Sequence, residues 1–149
     1  MRAVLQRVTE STVSVNRQVI GHIENGLLLY LGVGSEDTAA DLNYIAGKVI
    51  NLRIFEDEAG KMNLSLSDVN GAIMVISQFT LFGDTRRGRR PSYTKAAAPE
   101  KADHYYQLLL SRLKAEGYKV AAGQFGAKMA VSYINDGPVT ILIDSKKVF

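Results

Sequence analysis

The stretch LLLYLGV, residues 27–33, decides how the rest of the sequence is interpreted, because an apolar run of this length is typical of an interior β-strand. Upstream, alternating apolar residues predict a strand over Met1–Thr9 and two short strands within residues 13–23. The two short strands are joined near Asn16-Arg17, and Asn25-Gly26 predicts a tight turn before the apolar run. The first third of the chain is therefore predicted to be antiparallel β-structure.

The period of the apolar residues changes after this run. Thr38 and Asp41 have the spacing of a capping box, and apolar residues at helical intervals follow, so we predict a helix from about Thr38 to Leu52. Pro99 and Gly117 are typical of the first turn and the end of a second helix. Further strands are predicted over residues 72–82, 118–122, 128–135 and 139–144, with a dense turn signal, Asn135-Asp136-Gly137-Pro138, between the last two.

This order of elements predicts the α/β class. We expect one compact domain over residues 1–149, in which largely antiparallel β-sheets are covered by two helices. The absence of cysteine excludes disulfides, thiolate metal sites and cysteine nucleophiles. No apolar run approaches the roughly 20 residues needed to span a bilayer, so we expect a cytoplasmic protein without a membrane partner.

The basic residues are concentrated in one part of a chain whose net charge is +3. Four arginines fall around Gly88, namely Arg86, Arg87, Arg89 and Arg90. The planar guanidinium fork suits phosphate oxygens, so this loop is a candidate for contacting nucleic acid phosphates. The alternative is a solvated loop that only keeps the protein soluble.

The predicted strand over residues 72–82 carries three uncharged polar residues where a core strand favours valine and isoleucine. Ser77, Gln78 and Thr80 supply hydroxyl and amide groups that can serve as preorganised donors to an oxyanion or a carbonyl. The alternative is a β-bulge at the strand end, whose polar groups bond to neighbouring backbone. The residues alone leave both interpretations open.

Ionisable catalytic groups are scarce in this sequence. His22 lies in a predicted hairpin and His104 on the second helix, and neither has another ligand at metal spacing. His104 is the candidate base for a triad with Ser77 or Thr80, but its polar neighbours indicate an exposed helix face. The acids at residues 56–58 indicate a solvated turn rather than a metal site, and neither a phosphate-binding loop nor a dinucleotide fingerprint is present.

Two segments resemble the signature motifs of the D-aminoacyl-tRNA deacylases. They are Ser77-Gln78-Phe79-Thr80-Leu81 and Asn135-Asp136-Gly137-Pro138-Val139-Thr140. The resemblance extends over essentially the whole chain. It includes the Met1-Arg2-Ala3-Val4 start, Arg7, the Arg-Arg-Gly-Arg-Arg-Pro loop and the stretch from Phe125 to Met129.

The resemblance implies a homodimer whose active site lies at the subunit interface and uses neither a metal nor a cofactor. It implies hydrolysis of the ester that joins a D-amino acid to the 3′ end of tRNA, and removal of glycine mischarged onto alanine tRNA. These activities would make the protein a proofreading enzyme of translation quality control. The Gly137-Pro138 bond is expected to be cis and to enter the partner subunit's pocket, where it rejects L-amino acids.

The resemblance also implies roles for individual residues. The expected catalytic residues are Ser77, Gln78, Phe79 and Thr80. The residues expected to bind substrate or select its chirality are Gly137, Pro138, Phe125, Met129 and Arg7. We expect the segment 77–80 to orient the ester and stabilise the oxyanion, with a nucleophilic Thr80 as the alternative. The alternatives are an ordinary core position for Phe125 and Met129 and a surface position for Arg7.

Two further functions fit the same residues. A non-catalytic dimeric RNA-binding module would use the basic loop and leave the segment 77–80 as strand-end structure. A general esterase would use a threonine or serine nucleophile. Selective loss of a D-aminoacyl ester from tRNA distinguishes the deacylase from the binding module, and a covalent serine-hydrolase inhibitor would reveal the esterase.

Overall fold

The computed structural model describes residues 1–148, and these contain eight strands, two α-helices and one 3-10 helix. In chain order the elements are β1 (Arg2–Val15), β2 (Gln18–Ile23), β3 (Gly26–Gly32), α1 (Ala39–Asn51), β4 (Phe55–Glu56), β5 (Met62–Leu64), β6 (Ala72–Ser77), the 3-10 helix (Phe79–Phe82), α2 (Pro99–Ala115), β7 (Lys119–Ala122) and β8 (Met129–Asp144). Both predicted α-helices are confirmed. The N–H of Thr38 donates to the Asp41 carboxylate at 2.8 Å, as the capping pattern predicts, and the Thr38 hydroxyl donates to the same carboxylate at 3.0 Å.

The main sheet has six strands and is mixed, so the expectation of largely antiparallel sheets missed its two parallel pairs. β1 pairs antiparallel with β2, β3 and β8, whereas β3 pairs parallel with β6 and β6 pairs parallel with β7. The parallel pairs follow from the connections. The chain between β3 and β6 contains α1, and the chain between β6 and β7 contains α2, and such crossovers return the chain in the same direction.

The first two predicted strands form one strand, since β1 runs without interruption from Arg2 to Val15. β2 pairs with residues 11–15 of β1 and β3 with residues 2–8, so β2 and β3 do not form a hairpin with each other. The predicted tight turn at Asn25-Gly26 is therefore wrong. Glycine is required there for space, because a Cβ on Gly26 would lie 1.9 Å from the carbonyl oxygen of Ala72.

β8 is a single strand where the sequence predicted two strands and a turn. It pairs with β1, but Gln6 pairs with Thr140 and Val8 with Asn135, so residues 136–139 stand opposite Arg7 alone. The Asn135 amide donates to the carbonyl oxygens of Arg7 and Val139 at 3.0 and 2.9 Å. The predicted turn is therefore a bulge that projects from a continuous strand, and we call residues 136–139 the β8 bulge.

β6 ends at Ser77, so the predicted strand over residues 72–82 is too long. The N–H of Gln78 still donates to the carbonyl oxygen of Leu31 at 2.7 Å, but the ψ of Gln78, 81°, turns the chain out of the sheet. The N–H of Leu81 then donates to the carbonyl oxygen of Gln78 at 3.3 Å and closes the first turn of the 3-10 helix. The polar residues thus lie where a strand ends.

Both faces of the central strands are buried, which explains the uninterrupted apolar run in β3. Leu27, Leu29 and Leu31 belong to the larger core cluster, which both α-helices cover. Leu28 belongs to a smaller cluster on the other face, formed with residues of β1, β2 and β6. Strands buried on both faces are expected to lack polar alternation. The helices within residues 1–148 are too short or too polar to traverse a bilayer.

Candidate active site

A cavity of about 830 Å³ opens where β3 and β6 end. Its walls come from these strand ends, the segment 93–98, the first turns of α2 and the segment 125–131. Most of the lining is apolar, and Ser77 and Gln78 add polar groups on one side. A concave, mainly apolar cavity with a few convergent polar groups is typical of a small-ligand site.

The segment 93–98 forms one wall because it is attached to the chain that follows β3. The N–H of Ala97 donates to the carbonyl oxygen of Val33 at 2.9 Å. Tyr93, at the start of this wall, packs edge-on against Phe79, with 5.0 Å between the ring centroids. The two side chains remain 36% and 58% exposed, so they form an aromatic rim at the mouth of the cavity.

Tyr106 of α2 ties the cavity lining to the sheet. Its hydroxyl lies 2.9 Å from the carbonyl oxygen of Val75 and 3.0 Å from that of Gly123, and its proton is donated toward both. Burial raises the pKa of the Tyr106 hydroxyl to about 12, so it remains a donor at neutral pH. Phe125 packs against Tyr106 with 6.1 Å between ring centroids, and Met129 lines the same cavity.

The strand end places four predicted site residues beside the cavity. Ser77, Gln78 and Phe79 contribute to its lining, whereas Thr80 is exposed just outside it. The side-chain amide of Gln78 donates to the Thr80 hydroxyl oxygen. Within residues 1–148, the N–H groups of Phe79 and Thr80 have no hydrogen-bond acceptor. Two free backbone donors therefore lie at the side of the cavity that carries the polar groups.

Gly137 and Pro138 lie in the β8 bulge and do not line this cavity. The peptide bond between them is cis, and Gly137 has a φ of 111°, a conformation that favours glycine. Arg7 is buried, 4% exposed, beneath the bulge. Its Nε lies 2.8 Å from the Asp136 carboxylate, outside hydrogen-bond geometry, and its Nη1 donates to the carbonyl oxygen of Ile54 at 2.9 Å. The structure thus brings Arg7, Gly137 and Pro138 together, apart from the cavity residues of the same chain.

The family of the chain follows from comparison with known proteins. Residues 4–144 match the family model described as D-Tyr-tRNA(Tyr) deacylase. The chain belongs to this family. This confirms the family that the two sequence motifs indicated.

Relatives in the deacylase family match end to end. Proteins named D-aminoacyl-tRNA deacylase from Thermosipho africanus and Alkaliphilus metalliredigens are each 56% identical to the chain, over 100% of both chains. Among solved structures, one named c-Myc DNA Unwinding Element Binding Protein superposes with a TM-score of 0.91 at 39% identity, covering 97% of this chain and 98% of that one. A second, described as a probable eukaryotic D-amino acid tRNA deacylase, has a TM-score of 0.75 at 20% identity and covers 95% and 97%.

The basic loop of this deacylase-family chain lies next to the aromatic rim. Asp84 and Ser92 pair in antiparallel direction and close the loop at its base. Because Ser92 directly precedes Tyr93, the base of the loop lies next to the aromatic rim. Arg86 pairs with the Asp84 carboxylate, and its hydrogen bonds hold the pKa of that carboxyl well below its usual range. The other predicted arginines are exposed; they are Arg87, Arg89 and Arg90.

Neither histidine contributes to the cavity. His22 shares a hydrogen bond with the Thr12 hydroxyl at 2.9 Å, and it lies in a more open depression of about 520 Å³ that contains none of the predicted site residues. His104 packs edge-on against Tyr105 and is exposed, whereas its helix neighbours Ala102 and Tyr106 face the cavity. A triad based on His104 therefore lacks the required geometry.

Sequence reasoning missed two aromatic residues of the site. Tyr106 follows the helical apolar period, which predicts a core position, and it is indeed buried, but its hydroxyl also fixes the cavity lining. Tyr93 has no local pattern that could identify it, because its role depends on contact with Phe79. Only Tyr106 could have been noticed from the sequence. A tyrosine on an apolar helix face needs a buried hydrogen-bond partner for its hydroxyl, which indicates a structural role beyond packing.

Proposed function

We propose that the chain is a D-aminoacyl-tRNA deacylase that acts in the cytoplasm. It hydrolyses the ester between a D-amino acid and the 3′ end of tRNA, releasing the free amino acid and a reusable tRNA. The observation that carries this proposal is a cavity flanked by neutral donors, from Ser77 to Thr80, in a chain whose relatives with this name match it end to end. Hydrolysis of these esters proofreads the chirality of aminoacyl-tRNA.

Neutral donors suffice for this reaction, because an aminoacyl ester is more reactive than an amide. Water attacks the carbonyl carbon, the tetrahedral intermediate carries an oxyanion, and collapse releases the ribose oxygen. The free N–H groups of Phe79 and Thr80 supply donors for the oxyanion. One such donor contributes roughly 3–4 kcal/mol to transition-state stabilisation in mutagenesis experiments. The neighbouring ribose hydroxyl can accept a proton from the attacking water and pass its own proton to the departing ribose oxygen, so no protein base is required.

Direct attack by the Thr80 hydroxyl is the second mechanism. Its oxygen accepts a hydrogen bond from the Gln78 amide, which cannot take up a proton. A hydroxyl without an adjacent base is a weak nucleophile. We therefore assign Thr80 to substrate orientation, and replacement of Thr80 by valine decides between the mechanisms. Loss of one neutral hydrogen bond lowers kcat about tenfold, whereas abolished turnover with unchanged tRNA binding would establish the nucleophile.

Chiral selection is proposed to require a second subunit. In a homodimer, the exposed Gly137-Pro138 segment of one subunit would enter the cavity of its partner. Its backbone carbonyl oxygens would hold the α-amino group of the substrate and leave space on one side of Cα only. An L side chain then clashes, a D side chain fits, and glycine passes because it has no side chain. Glycine mischarged onto alanine tRNA is therefore a proposed second substrate.

Subunit complementation tests this arrangement. One variant blocks the cavity at a lining position, Ala127→Trp, and the other alters the bulge, Gly137→Val. Each is expected to be inactive alone, while a mixture reassembled from both recovers about a quarter of the parental activity, because half of the dimers then contain one intact site. Reassembly of each variant with itself is the control. A mixture that stays as inactive as its components would contradict a site shared between subunits.

The rival function is a nucleic-acid-binding module without catalysis. The basic loop favours it, and so does the likeness to a structure named as a DNA unwinding element binding protein. The two functions differ in turnover. The purified protein is incubated with D-Tyr-tRNA, and free tyrosine is measured alongside tRNA retention on a filter. Multiple turnovers per protein chain support the deacylase, whereas retention without release supports the binding module.

A further inference from the structure

Arg2, at the start of β1, connects the end of β8 to the 3-10 helix beside the cavity. Its Nε donates to the Asp144 carboxylate at 3.0 Å, and its Nη1 donates to the carbonyl oxygen of Leu81 at 2.9 Å. The guanidinium carbon lies 4.8 Å from the centroid of the Phe82 ring. Three contacts of different kinds therefore fix one side chain between two elements.

The helix that Arg2 contacts contains the two free N–H donors. Within residues 1–148, Arg2 is the only side chain from another element that donates a hydrogen bond to the backbone of this helix. The helix also rests directly on β3, at Gly32, which is the cross-strand partner of Arg2. A Cβ on Gly32 would lie 2.9 Å from the carbonyl oxygen of Gln78 and 3.1 Å from the Cβ of Leu81. A pair of neighbouring residues in the sheet, Arg2 and Gly32, thus contacts the helix and the residue before it.

Asp144 gives the Arg2 side chain a fixed anchor. The Asp144 carboxylate side chain is only 3% exposed, and its other oxygen accepts the N–H of Lys146 at 2.7 Å. The guanidinium presents donors in a rigid fork, so one edge can bind Asp144 while another donor reaches Leu81. A lysine ammonium is a point donor on a flexible stem and does not reproduce this geometry.

We propose that Arg2 is a positioning residue for ester hydrolysis. Together with Asp144, it holds the 3-10 helix so that the N–H groups of Phe79 and Thr80 keep their direction toward the oxyanion. The inference rests on the proposed deacylase function. It predicts a defect in the transition state rather than in substrate binding, because Arg2 lines no part of the cavity.

The test measures kcat, KM and Tm for deacylation of D-Tyr-tRNA by Arg2→Met, which keeps the apolar stem against Phe82 and removes the donors. We expect kcat to fall about tenfold or more, with KM within about threefold of the parental value. Arg2→Lys is expected to remain defective in kcat. Arg112→Met is the matched control. The Arg112 side chain is 34% exposed and that of Arg2 is 29% exposed, and Arg112 pairs with Glu116 away from the cavity.

The outcomes separate positioning from a structural role. Equal losses of kcat in Arg2→Met and Arg112→Met, or full recovery of kcat in Arg2→Lys, would overturn the inference. If Arg2→Met does not fold, Asp144→Asn gives the same test with the side-chain shape retained, and an unchanged kcat there would equally overturn it. Activity of the parental protein on D-Tyr-tRNA is measured first, because its absence contradicts the proposed function rather than the role of Arg2.

Discussion

Gly123 lies directly behind two residues that line the cavity, Ile76 and Met129. Its N–H donates to the carbonyl oxygen of Val75 at 2.9 Å, and its own carbonyl oxygen accepts from Tyr106. A Cβ at this position would lie 2.5 Å from Sδ of Met129 and 3.1 Å from Cδ1 of Ile76. The methionine would have to move, since it is the more flexible of the two neighbours.

Replacement of Gly123 by alanine is therefore expected to impair substrate binding more than folding. The displaced Met129 side chain alters the cavity, so we predict that KM for D-Tyr-tRNA rises about threefold to tenfold. The added methyl group lowers the unfolding free energy by roughly 1–3 kcal/mol. Gly47→Ala on α1, where a Cβ meets nothing within 4 Å, is the control and should leave KM unchanged. A parental KM in Gly123→Ala would show that Met129 does not bound the substrate site.

At the scale of elements, the sequence predicted both α-helices because the residues that start and end a helix lie next to it in the chain. The capping residues Thr38 and Asp41 fix the start of α1, and Asn16-Arg17 forms the predicted turn with φ values of 50° and 65°. The β8 bulge and the end of β6 depend on pairing with residues far along the chain. The same contrast holds for the site. Residue types alone drew attention to Ser77 and Gln78, which line the cavity, whereas the positions of Tyr93 and Tyr106 depend on tertiary contacts.

A cluster of hydrogen bonds around the Asp41 carboxylate links α1 to the chain after β8 and makes the stability of the protein depend on pH. Burial disfavours the charged form of Asp41, but hydrogen bonds from Lys146, Ser145 and Thr38 outweigh it, so the pKa of Asp41 lies below its usual value. A lowered folded-state pKa adds stability above the unfolded carboxyl pKa near 4, and that contribution is lost as the pH falls toward the folded value.

Asp41→Asn should therefore destabilise the protein most at pH values above the unfolded carboxyl pKa. We expect the variant to lose about 1–2 kcal/mol of unfolding free energy at pH 7, from weakened capping and charge-assisted hydrogen bonds. The difference from the parental protein should shrink steadily below about pH 4. Urea unfolding at several pH values measures it, with the exposed Glu58→Gln as control. A difference that stays constant down to pH 2.5 would contradict this account of the cluster.

At the scale of the whole molecule, the loop that carries the exposed arginines ends next to Tyr93, at the mouth of the cavity. Each phosphate contact releases counterions, so its loss lowers the salt dependence of tRNA affinity. Replacing Arg87, Arg89 and Arg90 by glutamine is expected to reduce the slope of log Kd against log salt by about 2–3. Lys114→Gln, at the other end of α2, should leave the slope unchanged. A parental slope in the triple variant would place the tRNA on another surface.

The central claim is that the cavity and its neutral donors hydrolyse aminoacyl-tRNA according to the chirality of the amino acid. The most direct measurement compares initial rates of deacylation for D-Tyr-tRNA, L-Tyr-tRNA and glycyl-tRNA(Ala) at equal concentrations of the purified protein. The account predicts rapid loss of the D ester, loss of the glycyl ester, and an L-ester rate no higher than spontaneous hydrolysis. Equal rates for the two tyrosyl esters, or no acceleration of any ester, would contradict it.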